Sequence, residues 1–166
     1  AKDVDWEDIS EEEKSERLKV VQTALSLVNY QPHIPYVSPG ESLSGMDCSG
    51  FVRQCFSRSG LGSLGGSSTA MMLTGGNGTL VNVGLYGECN ILPGDLIVIG
   101  SNERVDIKSA YGHVVLYIGD GMCAESSSTK GVISRPVMNS AMGSNIRKGK
   151  KPHVMRYIGW TGGEND

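Results

Sequence analysis

Cys48 has the most chemistry to offer, because of where the sequence puts it. It stands in Asp47-Cys48-Ser49-Gly50-Phe51, after a run of turn residues from Pro39-Gly40 to Ser44-Gly45. Beyond it, Phe51, Val52, Cys55 and Phe56 recur on one face of a helix, with Arg58 in the last turn and Gly60 to close it. The spacing therefore predicts Cys48 at a helix N-terminus, where free backbone N–H groups and the helix dipole favour negative charge. A thiol there loses its proton more readily, and the thiolate is the reactive form. Asp47 suits the N-cap, and Ser49 is small enough to leave the sulfur approachable. A buried structural cysteine fits the same position, so the decision falls to the rest of the chain.

A nucleophilic thiol needs a base that takes its proton and later passes one to a leaving group. Three histidines are available. His33 lies among prolines and His153 at the entry to the last strand. His113 follows Gly112, read here as room for a reacting chain to approach, and opens the apolar run to Ile118. A histidine at the mouth of a strand, facing a helix N-terminus, matches the layout of papain-like hydrolases. The plainer alternative is a core histidine with a satisfied hydrogen bond.

The turn Gly119-Asp120-Gly121 and a returning strand from Met122 make a hairpin. With a three-residue turn, Ile118 pairs with Met122 and His113 lies opposite Ser127, which makes Glu125 the diagonal neighbour on the same face. A two-residue turn shifts the register by one and offers Ser126 and Ser128 instead. Glu125 is the candidate orienting group, because a carboxylate there favours a thiolate–imidazolium pair. Its alternative is a surface acid beside a turn. Tyr36 lies in a stiff loop holding Pro32, Pro35 and Pro39; it either reaches the sulfur or covers the edge of the core.

The elements that must carry these residues follow in order. Residues 1–9 read as an acidic lead-in or tail, and residues 10–166 as one domain. Ser10 and Glu13 form a capping box for a helix that buries Leu18, Val21, Leu25 and Val28 and ends before Pro32. A short helix is expected from Ser68 or Thr69 to Leu73. Strands are expected at Thr79–Val83, Leu96–Ile99, His113–Ile118, from Met122, at Gly131–Arg135 and at Val154–Ile158. Gly100–Ala110 reads as a surface loop, and Arg147, Lys148, Lys150 and Lys151 as a solvated basic loop. Helices first and strands after argue for an α+β fold, helices packed on a mostly antiparallel sheet of five to six strands.

Composition narrows the function classes. The chain has 166 residues, a formal net charge of −3, 39% hydrophobic and 20% charged residues. This is a globular profile with no general attraction to nucleic acid, and no apolar run reaches the length of a membrane span. The four cysteines form no zinc signature and read as mostly reduced, with a Cys89–Cys123 bridge left open. No metal or organic cofactor is implied. The abrupt acidic start fits a mature form or a piece of something longer.

Four blocks occur in order: Ile34-Pro35-Tyr36-Val37, Met46-Asp47-Cys48-Ser49-Gly50-Phe51-Val52, Pro93-Gly94-Asp95-Leu96, and Gly112-His113 running through Tyr117 to Gly119. In these the chain, over roughly residues 15 to 160, resembles the NlpC-type family of bacterial cell-wall cysteine peptidases. The resemblance implies a reduced papain-like fold and cleavage of peptidoglycan stem peptides, commonly between D-γ-glutamyl and a diamino acid. It also implies Cys48 as nucleophile, His113 as base, Tyr36 beside the active cysteine, and Asp47 and Ser49 as holders of a free N-terminal L-Ala amine. A place outside the cell or on its wall follows, with a linked wall-binding or glycosidase domain as a fitting partner; a host remodelling enzyme and a phage or mobile-element lysin fit equally. An N-acetylmuramoyl-L-alanine amidase and a wall-binding module without catalysis are the rival readings. Two departures stand out. The third polar residue is usually His, Asn or Gln, where this chain has Glu125, and the expected Trp-Gly-Gly after Tyr36-Val37 is replaced by Ser38-Pro39-Gly40.

Overall fold

The computed structural model describes residues 4–106 and 111–162. Helix α1 (Glu11–Val28) starts as its capping box dictates, with the Ser10 side chain accepting from the Glu13 N–H. Helix α2 spans Cys48–Ser59, α3 Thr69–Leu73 and α4 Ala141–Arg147. A two-stranded ribbon, β1 (Glu41–Ser42) and β2 (Gly45–Met46), folds within the turn-rich run before Cys48. The main sheet contains β3 (Leu80–Leu85), β4 (Leu96–Ile99), β5 (His113–Gly119), β6 (Met122–Ser127), β7 (Gly131–Pro136) and β8 (His153–Tyr157). Its order is β3-β8-β4-β5-β6-β7, antiparallel at every pairing, so the architecture is α+β.

β4 is buried at all four residues and lies at the centre, as its continuous apolar run requires. Helix α2 buries Phe51, Val52, Cys55 and Phe56 completely and packs on β5 and β6, with α1 against it. Phe56, Tyr157 and Trp160 close the far end of this core, their ring centroids 5.1–5.7 Å apart. The four cysteines are free thiols, so the Cys89–Cys123 pair is not bridged.

Three expectations are corrected. The buried face of α1 is Arg17, Val20, Val21, Ala24 and Leu27, while Leu18 is 46% exposed. The reason is a charge. Arg17 donates to Asp95 Oδ1 at 3.0 Å and to Glu13 at 2.8 Å, and its guanidinium lies 4.8 Å from the Trp160 ring centroid. Arg156 grips the same Asp95 from β8, at 3.0 and 2.7 Å. Anchoring Arg17 inward turns the helix away from the apolar stripe that spacing alone suggests. Second, Arg147 is not in a loop but closes α4, a helix capped by Ser140. Third, the hairpin turn has two residues, Asp120 and Gly121, both with positive φ, and Gly119 pairs with Met122. A bulge at Ile118 then restores the longer-turn register, with Tyr117 opposite Cys123 and Leu116 opposite Ala124. Part of the expected surface loop, residues 107–110, lies outside the described residues.

Removing Asp95 takes a buried carboxylate away from both Arg156 and Arg17, of which Arg17 keeps Glu13. Asp95→Ala is expected to lower unfolding free energy by about 3–5 kcal/mol, read as a lower midpoint in urea denaturation.

Candidate active site

The site is half helix terminus and half sheet. Asp47 caps α2: its Oδ1 accepts from the Gly50 N–H at 2.6 Å and the Ser49 hydroxyl at 3.2 Å, and Oδ2 from the Gly40 N–H at 3.4 Å. Gly50 must be glycine, because a Cβ there would lie 2.2 Å from the Gly40 carbonyl oxygen. Cys48 is the first helical residue, so its own N–H has no acceptor within the helix. These contacts hold the sulfur at the positive end of α2, as the sequence predicts.

His113 opens β5 and is 7% exposed. Its Nε2 is 2.7 Å from Oε1 of Glu125, a residue with no exposed surface, and Glu125 Oε2 accepts from Arg135 Nε at 2.6 Å. The register explains the alignment. Glu125 pairs with Ile133 and Cys123 with Arg135, so Arg135 is the diagonal neighbour of Glu125 across β6 and β7. His113, Glu125 and Arg135 thus come from three adjacent strands. Gly112 is needed for packing at this point, since a Cβ would meet the Ile99 carbonyl oxygen at 2.4 Å and Thr69 Cγ2 at 2.8 Å. The reading of Gly112 as space for a reacting chain therefore gives way in part to this contact, although Gly112 does line the site.

Charge flows along this line. Burial pushes the Cys48 thiol up, but a hydrogen bond to His113, its charge, the Thr69 hydroxyl and the Val114 backbone together hold it below the ordinary thiol range. The Thr69 Oγ1 lies 3.7 Å from the sulfur. Burial pushes His113 down, yet its hydrogen bonds and charge interactions with Cys48 and Glu125 outweigh that and raise it to about 9. Burial pushes Glu125 up, and His113 and Arg135 reverse it, leaving a carboxylate held below its usual range. The arrangement favours a thiolate, an imidazolium, a carboxylate and a guanidinium in alternating sign. No group of three or more acidic, histidine or cysteine side chains suited to a metal occurs among the described residues.

Two cavities flank the pair. One of about 280 Å³ runs past Cys48, Asp47, Ser49 and Thr69; another of about 270 Å³ runs past His113, Glu125, Arg104 and Arg135. Tyr36, Ser38, Tyr111 and Gly112 border both. Tyr36 is near enough for Cys48 to matter: burial first, then the Cys48 and Asp47 charges, push its hydroxyl up. The structure therefore brings together Cys48, His113, Glu125, Tyr36, Asp47 and Ser49. Sequence reasoning missed Thr69 and Arg135. Thr69 was legible only as a helix start, whereas Arg135 was within reach of the same diagonal rule that found Glu125, applied to one more strand pair.

The NlpC/P60 family model matches residues 33–151, most of the described chain. The chain belongs to the NlpC/P60 family. Its fold is similar to that of the NlpC/p60 domain of the peptidoglycan hydrolase SagA, at 20% identity over 83% of this chain and 96% of that one, with a TM-score of 0.54. It is likewise similar to the peptidoglycan hydrolase RipB from Mycobacterium tuberculosis, at 25% identity over 86% and 67%, TM-score 0.53. NlpC2 from Trichomonas vaginalis shares 18% identity over 93% and 49%, TM-score 0.56, so this NlpC/P60 chain spans about half of that protein. No curated protein matches the chain significantly in sequence.

Of the cysteines in this NlpC/P60 domain, Cys55 is pushed up by burial and Cys123 is pushed up to about 12, also chiefly by burial. Iodoacetamide labelling across a pH series, read by peptide mapping, should modify Cys48 from a lower pH than an ordinary thiol and well ahead of Cys55. Equal onset at Cys48 and Cys55 would mean that the thiol is not activated.

Proposed function

We propose that the chain is a cysteine peptidase of the bacterial cell wall that hydrolyses peptidoglycan stem peptides between a D-γ-glutamyl residue and a diamino acid. One observation carries this reading: a thiol at a helix N-terminus beside a histidine whose other side is fixed by a buried carboxylate. That is the constellation for nucleophilic acyl transfer. Membership of the family and the likeness to peptidoglycan hydrolases support the wall polymer as substrate. An extracellular or wall-associated setting accords with this, and no helix among the described residues is long and apolar enough to cross a membrane.

In the proposed reaction the Cys48 thiolate attacks the amide carbonyl carbon. The oxyanion forms against the Cys48 N–H and the positive end of α2. His113 then donates its proton to the departing amine as the C–N bond breaks, leaving a thioester. Water, losing a proton to His113, hydrolyses it and frees the thiolate. Glu125 holds the imidazole ring and stabilises its charged form. Asp47 and Ser49 form the acidic, hydroxyl-bearing end of the first cavity and suit the amine of a stem that begins with free L-Ala. Tyr36 covers the junction of the two cavities.

Cys48→Ala should abolish lysis of purified peptidoglycan, and mass spectrometry of muropeptides digested by the parent should show cuts within the stem. Release of whole stems from the sugar would instead make the enzyme an amidase, and full lysis by Cys48→Ala would remove the thiol from the mechanism.

The pH profile of kcat/KM should be bell-shaped. Activity falls on the acid side as the thiolate takes up a proton, and on the alkaline side as His113 loses the proton it must donate, near pH 9. Glu125→Gln removes the carboxylate charge that favours the imidazolium, so the alkaline limb should move down by about one unit. An unmoved limb would leave Glu125 with a packing role alone.

A further inference from the structure

Arg135 is engaged at one nitrogen and open at two. Its Nε donates to Glu125, and its Nη1 and Nη2 have no acceptor among the described residues. The side chain is 22% exposed and lines the second cavity beside His113, Arg104, Ser127 and Ser128. Glu125 is the one carboxylate in that lining among the described residues, and both of its oxygens are taken, by His113 and by Arg135. Arg104 is matched by Asp106, whose carboxylate it binds at 3.0 and 2.9 Å. What the cavity presents without a counterpart is the outer edge of the Arg135 guanidinium, among hydroxyls.

The side of the site decides what would meet that edge. In the proposed reaction His113 gives its proton to the leaving amine, so the departing residue occupies the His113 side, while the acyl half lies along the Cys48 cavity. We propose that the Arg135 cavity is the leaving-group subsite and binds a carboxylate carried by the residue whose amine departs. This rests on the peptidase reading and adds a substrate class to it: stems whose leaving residue bears a free carboxylate, in preference to the carboxamide. A guanidinium presents parallel N–H donors that match two carboxylate oxygens, and charge-assisted bonds of this kind are about twice as strong as neutral ones. A carboxamide supplies a single oxygen without charge and sets its own N–H donors against a cation. Arg135 thus serves two anions at once, Glu125 through Nε and the substrate through Nη.

The test uses two synthetic peptides, L-Ala-γ-D-Glu-diamino acid, identical except that the carboxyl beside the departing amine is free in one and amidated in the other. The parent enzyme should cleave the free acid with kcat/KM about tenfold higher. Arg135→Gln slows both peptides through Glu125, but the ratio between them should fall to near one, with Arg135→Lys in between. Equal rates for the parent, or a ratio that survives in Arg135→Gln, overturns the proposal. The parent comparison needs no variant, so poor folding of Arg135→Gln leaves it decisive. Calorimetry with the Cys48→Ala protein separates this idea from the one beneath it. Tighter binding of the acid than of the amide, with no cleavage by the parent, sinks the peptidase reading and keeps the carboxylate subsite. Equal binding of the two sinks the subsite whatever the parent cleaves.

Discussion

An ionised carboxylate that loses its water must find cations to replace it, and among the described residues two such groups have no exposed surface. Asp95 is gripped by Arg17 from α1 and Arg156 from β8, and also accepts the Leu92 N–H at 2.8 Å. Glu125 is gripped by His113 from β5 and Arg135 from β7. In each case the desolvation of one anion is offset by two partners from different elements, so the charge fixes how those elements meet. Asp95 sets the roll of α1 against the sheet. Glu125 sets the imidazole against the end of α2.

The two halves of the site are held by different forces. Cys48 keeps its place through nonpolar burial: Phe51, Val52, Cys55 and Phe56 seat α2 on β5 and β6, and the Asp47 cap fixes its first turn. His113 keeps its place through polar contacts across three strands. Movement of the helix would cost core packing, and rotation of the ring would strand a buried carboxylate. Because α2 is seated on the very strands that carry His113 and Glu125, the thiol and the imidazole are pre-positioned partners rather than groups assembled by a substrate.

Much of this was legible in the sequence where one local rule decided the outcome. The α2 start at Cys48 follows from Asp47, the apolar spacing after it and Gly60. β4 follows from four apolar residues in a row. Glu125 followed from pairing arithmetic, although the turn that justified it proved shorter and a bulge made up the difference. What escaped depended on partners distant in the chain. The face of α1 is chosen by Asp95, 78 residues from Arg17, and no periodicity within the helix carries that information. Arg135 looked like no more than the end of an expected strand, since its contact with Glu125 appears only when β5, β6 and β7 are laid side by side. α4 is short and begins at a serine cap inside a polar stretch, where propensity is weak against tertiary packing.

The bulge at Ile118 has a consequence for how this chain can vary. A hairpin whose register is fixed only by its turn must slip every downstream side chain to the opposite face when the turn gains or loses a residue. Here the tip and the His113–Glu125 end of the hairpin are separated by one unpaired residue, which absorbs the mismatch as local twist. The tip at Asp120-Gly121 can therefore be as tight as two residues, while the carboxylate that His113 and Arg135 share stays in register with its histidine.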